Sequence, residues 1–209
     1  MNPCTLADSA SPTSVAPVAP VRTWTRAHIG LTENTMLFVS AANFYKITPE
    51  MLELWARLLA AVPGARLLLH PLNDNGSSPY PIKRFCAEFD HVLEAHGVAP
   101  ERLIVSSIRF PSCTDAGELL KLGDVYLDTH SFAGVHVAAD ALEHGLPVVT
   151  CEGGTFRSLT GAALLRSLGL DELIVSNDEA YLALCSELAY EPAYRAYFRS
   201  RITATAVSA

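Results

Sequence analysis

A doubly wound parallel α/β sheet is the fold class this sequence predicts, and three observations predict it. Six short apolar runs, at residues 36–40, 67–69, 103–107, 125–127, 147–150 and 173–175, lack the alternation of a half-exposed strand, as expected of strands covered on both faces. Between them lie stretches of helical period. The clearest places Met51, Leu52, Trp55, Leu58, Leu59 and Val62 at spacings of three and four on one face. Gly, Pro, Asn and Asp punctuate the passage from one kind to the other. Strands and helices alternating in this way pack as a parallel sheet with helices on both sides.

Taken in order, residues 1–22 are rich in Pro, Ala and Ser without a period and read as a flexible leader, so the folded unit is expected over 23–209. After the first strand, Thr48 is placed to cap a helix that has Pro49 at its first position, and Pro63-Gly64 ends it. A polar loop follows the second strand, and a helix is expected over 81–96 with Gly97 at its stop. The third strand leads to a short helix over 114–122. The fourth, Val125-Tyr126-Leu127, runs into Asp128 and a loop that turns at Gly134 into a helix stopped by Gly145, and Pro147 opens the next strand. Residues 156–168 read as a helix ended by Gly169. Ser176-Asn177-Asp178-Glu179 reads as a capping box opening a helix through Leu188. The last helix starts at Pro192, runs past Tyr197 and is expected to fray from Thr203.

Composition narrows the function classes. The 209 residues are 50% hydrophobic and 18% charged, which is the balance of a chain with a core rather than a disordered one. A formal charge of −7 opposes a nucleic-acid partner, because such a surface repels phosphate backbones. No apolar run approaches the ~20 residues that span a bilayer, so no membrane partner is expected. Cys4, Cys86, Cys113, Cys151 and Cys185 show neither C-x-x-C nor zinc-ligand spacing. Reduced thiols, no metal and a cytoplasmic location are the corresponding expectations.

Ligands in doubly wound sheets bind beyond the carboxyl ends of the strands, where the strand order reverses, and the informative residues fall in those loops. Gly134, Val135 and His136 open a helix whose free N–H groups suit an anion, phosphate above all. Asp140 falls one to two turns into that helix, where a carboxylate can reach a sugar hydroxyl. Lys46 follows the first strand and is placed to neutralise a diphosphate, although alone it reads more often as a solvated lysine before a helix. In Glu152-Gly153-Gly154-Thr155-Phe156-Arg157-Ser158, Thr155 can cap a helix or bond a phosphate oxygen, and Arg157 can clamp an anion. Ser107, Ile108 and Arg109 follow the third strand, where backbone groups can read a base edge. Asp115, Glu118, Asp124 and Asp128 read as caps and surface charges. The chain has neither the G-x-G-x-x-G of a nicotinamide site nor a P-loop.

With those residues in view, the chain resembles the C-terminal, donor-binding half of the glycosyltransferases related to protein O-linked N-acetylglucosamine transferase, and within them the SPINDLY-like, bacterial adhesin-glycosylating branch. The resemblance rests on Phe44-Tyr45-Lys46-Ile47-Thr48-Pro49, on Tyr80-Pro81-Ile82-Lys83-Arg84-Phe85, on Gly123-Asp124-Val125-Tyr126-Leu127-Asp128-Thr129, on Gly145-Leu146-Pro147-Val148-Val149 and on Phe156-Arg157-Ser158. It implies the C-terminal half of a GT-B fold, with two Rossmann-like domains across a cleft. The implied reaction transfers a hexose or N-acetylhexosamine from a UDP donor to a protein Ser, Thr or Asn, without a metal or other cofactor.

Carried over by position, Lys46 would hold the diphosphate and stabilise the leaving group, and Asn43 would contact the diphosphate or sugar. Asp140 would accept the ribose hydroxyls, Ser107 to Arg109 would flank the uracil, and Gly134 to Val137 would supply the phosphate-facing helix start. Many relatives have a small polar residue ahead of the aspartate. Here the stretch is Ala133-Gly134-Val135-His136-Val137, so only His136 brings a side-chain donor. The partners implied are a UDP-sugar and a protein or peptide acceptor, with the chain either a fragment of a longer enzyme or one subunit of a split one whose N-terminal half a separate chain supplies. The alternative is a nucleotide-sugar-binding or partner-docking module that transfers nothing.

Overall fold

The computed structural model describes residues 23–70, 81–106, 113–130 and 132–207. The expected leader over 1–22, the polar loop after the second strand, and Ser107, Ile108 and Arg109 lie outside the described residues.

Six strands form one parallel sheet: β1 (Leu37–Ser40), β2 (Arg66–Leu69), β3 (Leu103–Val105), β4 (Val125–Leu127), β5 (Val148–Cys151) and β6 (Ile174–Val175). Their spatial order is β3-β2-β1-β4-β5-β6. The chain therefore moves outward from β1 to β3, returns past β1, and moves outward again from β4 to β6. Phe38 pairs with Leu67 on one side and Val125 on the other, and Tyr126 pairs with Val148. All four residues of β1, all three of β4 and all four of β5 are buried, which is why these runs are apolar throughout.

The helices are α1 (Pro49–Ala61), α2 (Ile82–Ala95), α3 (Cys113–Leu120), α4 (Val135–Glu143), α5 (Phe156–Ser167), α6 (Asp178–Tyr190) and α7 (Pro192–Val207). One layer packs α1 with α2 and α6, the other packs α4 with α3 and α5, and α7 touches both α6 and α4. α1 forms where the period requires: Thr48 Oγ1 accepts the Met51 N–H, Pro49 takes a position whose N–H has no helical use, and Met51, Leu52, Trp55, Leu58 and Leu59 are buried. Each such side chain contributes about 2 kcal/mol by leaving water. Gly64, Gly97, Gly145 and Gly169 follow helices with positive φ, the left-handed stop that a side chain disfavours.

Two expectations are corrected. The cap of α6 is Asn177 rather than Ser176: the Asn177 side chain accepts the Ala180 N–H at 2.9 Å, and Glu179 falls inside the first turn instead of closing a box. The last helix, expected to fray from Thr203, continues as helix to Val207. Its Ile202 is buried, and the hydroxyls of Thr203 and Thr205 bond the carbonyls of Arg199 and Arg201.

Candidate functional site

Neighbouring strands whose connections leave in opposite directions open a crevice at their carboxyl ends. In this sheet those strands are β1 and β4, and Ser40 Oγ ties their ends by donating to Leu127 O at 2.8 Å. The segment after β1 turns at a short 3-10 helix, Phe44–Lys46. Asn43 caps it, its Oδ1 accepting the Tyr45 N–H at 3.1 Å. That turn carries Lys46 toward the loop after β4. Lys46 Nζ donates to Ala133 O at 3.2 Å and lies 4.4 Å from the centre of the Phe132 ring. Burial lowers the pKa of this half-buried ammonium, and the Asp128 carboxylate works in the opposite direction.

Asp128 is the main departure from the sequence expectation. Read as a surface charge, it is fully buried at the end of β4. Its Oδ1 accepts the N–H groups of Thr129 and Gly134, each at 2.9 Å, and its Oδ2 accepts the Thr150 hydroxyl at 2.8 Å. An aspartate directly after an unalternating apolar strand, six residues before a glycine, was the available signal. Asp124 is also no free surface charge. It takes the Leu37 N–H at 2.8 Å and pairs with Arg26 at 2.9 Å, fastening the segment before β1 to β4. Glu118 is buried and pairs with Lys121. Asp115 is in α3, and its side chain lies outside the described residues.

The bond from Gly134 aims α4. With that N–H held by Asp128, the helical ladder opens with Ala138 N–H on Gly134 O. The N–H groups of Val135, His136 and Val137 precede that ladder and have no acceptor among the described residues, the open donor set of a helix start. Val135 is half-buried and His136 exposed. A Cβ placed on Gly134 would come within 4 Å of Asp128 Oδ1, Lys46 Nζ and the Tyr126 hydroxyl together, so these three groups surround one point. The buried Tyr126 hydroxyl lies against Ser40 and the Ala41 backbone without a hydrogen bond of good geometry. Burial pushes its pKa up.

Arg157 reaches the same place from the segment after β5, where Thr155 stands two residues earlier. Thr155 caps α5 in a reciprocal arrangement with Ser158, so of its two expected roles the structure realises the cap. Arg157 O accepts the Ala133 N–H at 3.1 Å, and its exposed guanidinium stands 4.9 Å from the Phe132 ring centre. Lys46 and Arg157 thus meet at one aromatic ring, a residue that the sequence reading did not single out. Asp140, in the second turn of α4, is half-buried. Burial first, then Glu143, raise its pKa, and His144 and His136 oppose them. Among the described residues no group of His, Cys, Asp and Glu converges as a metal-ligand set. Among the described residues, too, no helix is long and apolar enough to cross a membrane.

The family model described as glycosyl transferase family 41 matches residues 6–209. The chain belongs to that family. A probable UDP-N-acetylglucosamine–peptide N-acetylglucosaminyltransferase SPINDLY of Petunia hybrida is 32% identical over 159 residues, 76% of this chain and 16% of its own length. The solved structure of a mutant O-GlcNAc transferase of Thermobaculum terrenum superposes with TM-score 0.74 at 32% identity, over 84% of this chain and 32% of that one. The C-terminal CMP-Kdo binding domain of WaaA from Acinetobacter baumannii shares the fold alone, at 13% identity and TM-score 0.55, over 83% of this chain and 90% of that domain. The family 41 chain thus spans about a sixth of the Petunia protein. Its doubly wound sheet is the kind found in GT-B glycosyltransferases, as the resemblance implied.

Proposed function

We propose that this family 41 chain is the nucleotide-sugar-binding domain of a glycosyltransferase that moves a hexose or N-acetylhexosamine from a UDP donor to a protein Ser, Thr or Asn. The observation that carries the reading is the convergence of the Lys46 ammonium and the open N-terminus of α4 on one point beside Gly134, at the switch in strand order. The names of the Petunia and Thermobaculum relatives support the donor and the protein acceptor.

In this reading the α4 N–H groups and Lys46 hold the diphosphate. As the glycosidic bond to the donor breaks, negative charge gathers on the departing diphosphate, and a positioned ammonium stabilises that charge more than it stabilises the bound donor. Arg157 adds a second, more exposed cation across Phe132. Asp140 accepts the ribose hydroxyls, and Ser107, Ile108 and Arg109 flank the uracil. Asn43 acts by shaping the turn that presents Lys46. The acceptor, and the base that takes its proton, belong to the facing domain of a GT-B enzyme, on the same chain or a separate one. No metal is required, because the side-chain cations and the helix start supply the positive field. Buried Cys151 and Cys185, held as free thiols, suit a cytoplasmic setting. A second reading, donor binding without transfer, is favoured by Val135 and Val137, whose side chains offer no hydrogen bond where the helix meets phosphate.

Calorimetric titration with UDP and UMP tests the site. Lys46→Ala should weaken UDP about 10- to 100-fold, the value of a charge-assisted hydrogen bond, and UMP less than threefold. Equal losses for both ligands would remove Lys46 from the diphosphate. UDP affinity should be unchanged by EDTA. It should also decline with rising pH below the usual lysine range, because burial lowers the Lys46 pKa and only the protonated form attracts the anion.

A further inference from the structure

Asp128 places a carboxylate directly beneath a site proposed to take anions, and every layer of the fold is arranged to keep it there. β5 donates the Thr150 hydroxyl to Oδ2, the loop before α4 donates the Gly134 N–H to Oδ1, and α6 donates the Tyr181 hydroxyl to the Asp128 carbonyl at 3.2 Å. α5 contributes an absence of side chain. A Cβ on Gly161 would stand 2.6 Å from both Asp128 Oδ2 and Thr150 Oγ1, so this helix approaches closely enough to seal the pair only because residue 161 is glycine.

The donors to the carboxylate are all neutral. Among the described residues the cation acting on it is Lys46, from the turn after β1. Among the described residues, the other ionisable groups facing Asp128 are the hydroxyls of Tyr126 on β4 and Tyr181 on α6, both pushed up by burial and so uncharged at neutral pH. Lys46 faces Asp128 and, across the Phe132 ring, Arg157. Burial pushes the pKa of Asp128 up, and the bonds from Gly134, Thr150 and Thr129 and then the Lys46 charge oppose it; burial pulls the pKa of Lys46 down, and the Asp128 charge opposes that.

We propose that Asp128 is a positioning residue of the donor site, one that fixes the start of α4 and the Lys46 ammonium over the same point without touching the ligand. The inference rests on the donor-site reading above. Gly134 N–H is consumed by Asp128, so the three N–H groups that follow are left to face outward. The charge on Asp128 also opposes the lowering of the Lys46 pKa by burial, which adds to the function of Lys46 rather than competing with the diphosphate for it.

The test is the UDP affinity of the full chain from pH 6 to 10 for wild type, Asp128→Asn, Lys46→Ala and the double variant. Asp128→Asn keeps the shape and removes the charge. Its decline of affinity on the alkaline side should start about one pH unit lower than in wild type, the effect of losing an opposite charge nearby. The double variant should bind within about twofold of Lys46→Ala alone, because the charge of Asp128 acts through that lysine. An Asp128→Asn loss that is the same at every pH and adds fully to that of Lys46→Ala would overturn the proposal and leave Asp128 a purely structural residue. If Asp128→Asn does not fold, Asp128→Ser, which keeps an acceptor oxygen on Cβ, carries the same comparison. Wild type that binds no UDP at any pH overturns the donor-site reading itself. Wild type that binds and shows no alkaline shift in the variant overturns only the role of Asp128.

Discussion

At the scale of single residues, the glycines around Asp128 show how closely the parts of the site approach. Gly161 lies mid-helix, where glycine costs about 1 kcal/mol relative to alanine, yet the space its Cβ would need is taken by the Thr150 hydroxyl and the Asp128 carboxylate oxygen to which it donates. Gly161→Ala should therefore destabilise the protein by about 1–3 kcal/mol, read as a fall in melting temperature, as forced overpacking does elsewhere. A Cβ on Gly154 meets open space, and Gly154→Ala should change stability by less than about 0.5 kcal/mol. Matching melting curves for the two variants would contradict this account of Gly161. That Lys46 and Gly134 stand near the ends of neighbouring strands was legible in the sequence, because turn and glycine signals follow the apolar runs directly. Asp128 was not read correctly, because a carboxylate looks the same in sequence whether it caps a surface turn or lies sealed under a helix. What distinguishes the two is the partner set, Thr150 and Gly134, which only the pairing of β4 with β5 brings together.

At the scale of elements, the ends are where sequence and structure differ. Among the described residues the six strands and seven helices fall where apolar runs and helical periods predict, and for β1, β4 and β5 burial on both faces leaves few alternatives. Caps are decided by a single hydrogen bond, and two adjacent polar residues compete for it. In α6 the Asn177 amide wins over the Ser176 hydroxyl. Asn177→Ala should thus cost about 1 kcal/mol in denaturant unfolding, and Ser176→Ala much less. The reverse order would restore the expected box. A larger effect belongs to Arg26, whose guanidinium bonds Leu122 O, Glu33 O and Thr35 O and pairs with Asp124. It fastens the segment before β1 to the loop before β4, largely out of water. Arg26→Ala should cost about 3 kcal/mol, the usual result of leaving a buried partner uncompensated.

At the scale of the whole molecule, the strand order explains why residues more than 80 positions apart meet. β1 and β4 are neighbours whose connections diverge, so the loops carrying Lys46 and Asp128–Gly134 share one crevice, with the β5 loop and Arg157 beside them. A different open hollow, lined by Glu152, Arg166 and Ser176, lies toward the β6 edge, where Arg166 grips Glu152 through two bonds. Its charges are already paired, which makes it the poorer host for a diphosphate. Amide chemical-shift mapping of the full chain with UDP compares the two places directly. The account predicts that the largest changes fall on Lys46, Gly134, Val135, His136 and Arg157. Changes gathered around Glu152, Arg166 and Ser176, with the start of α4 unmoved, would contradict it.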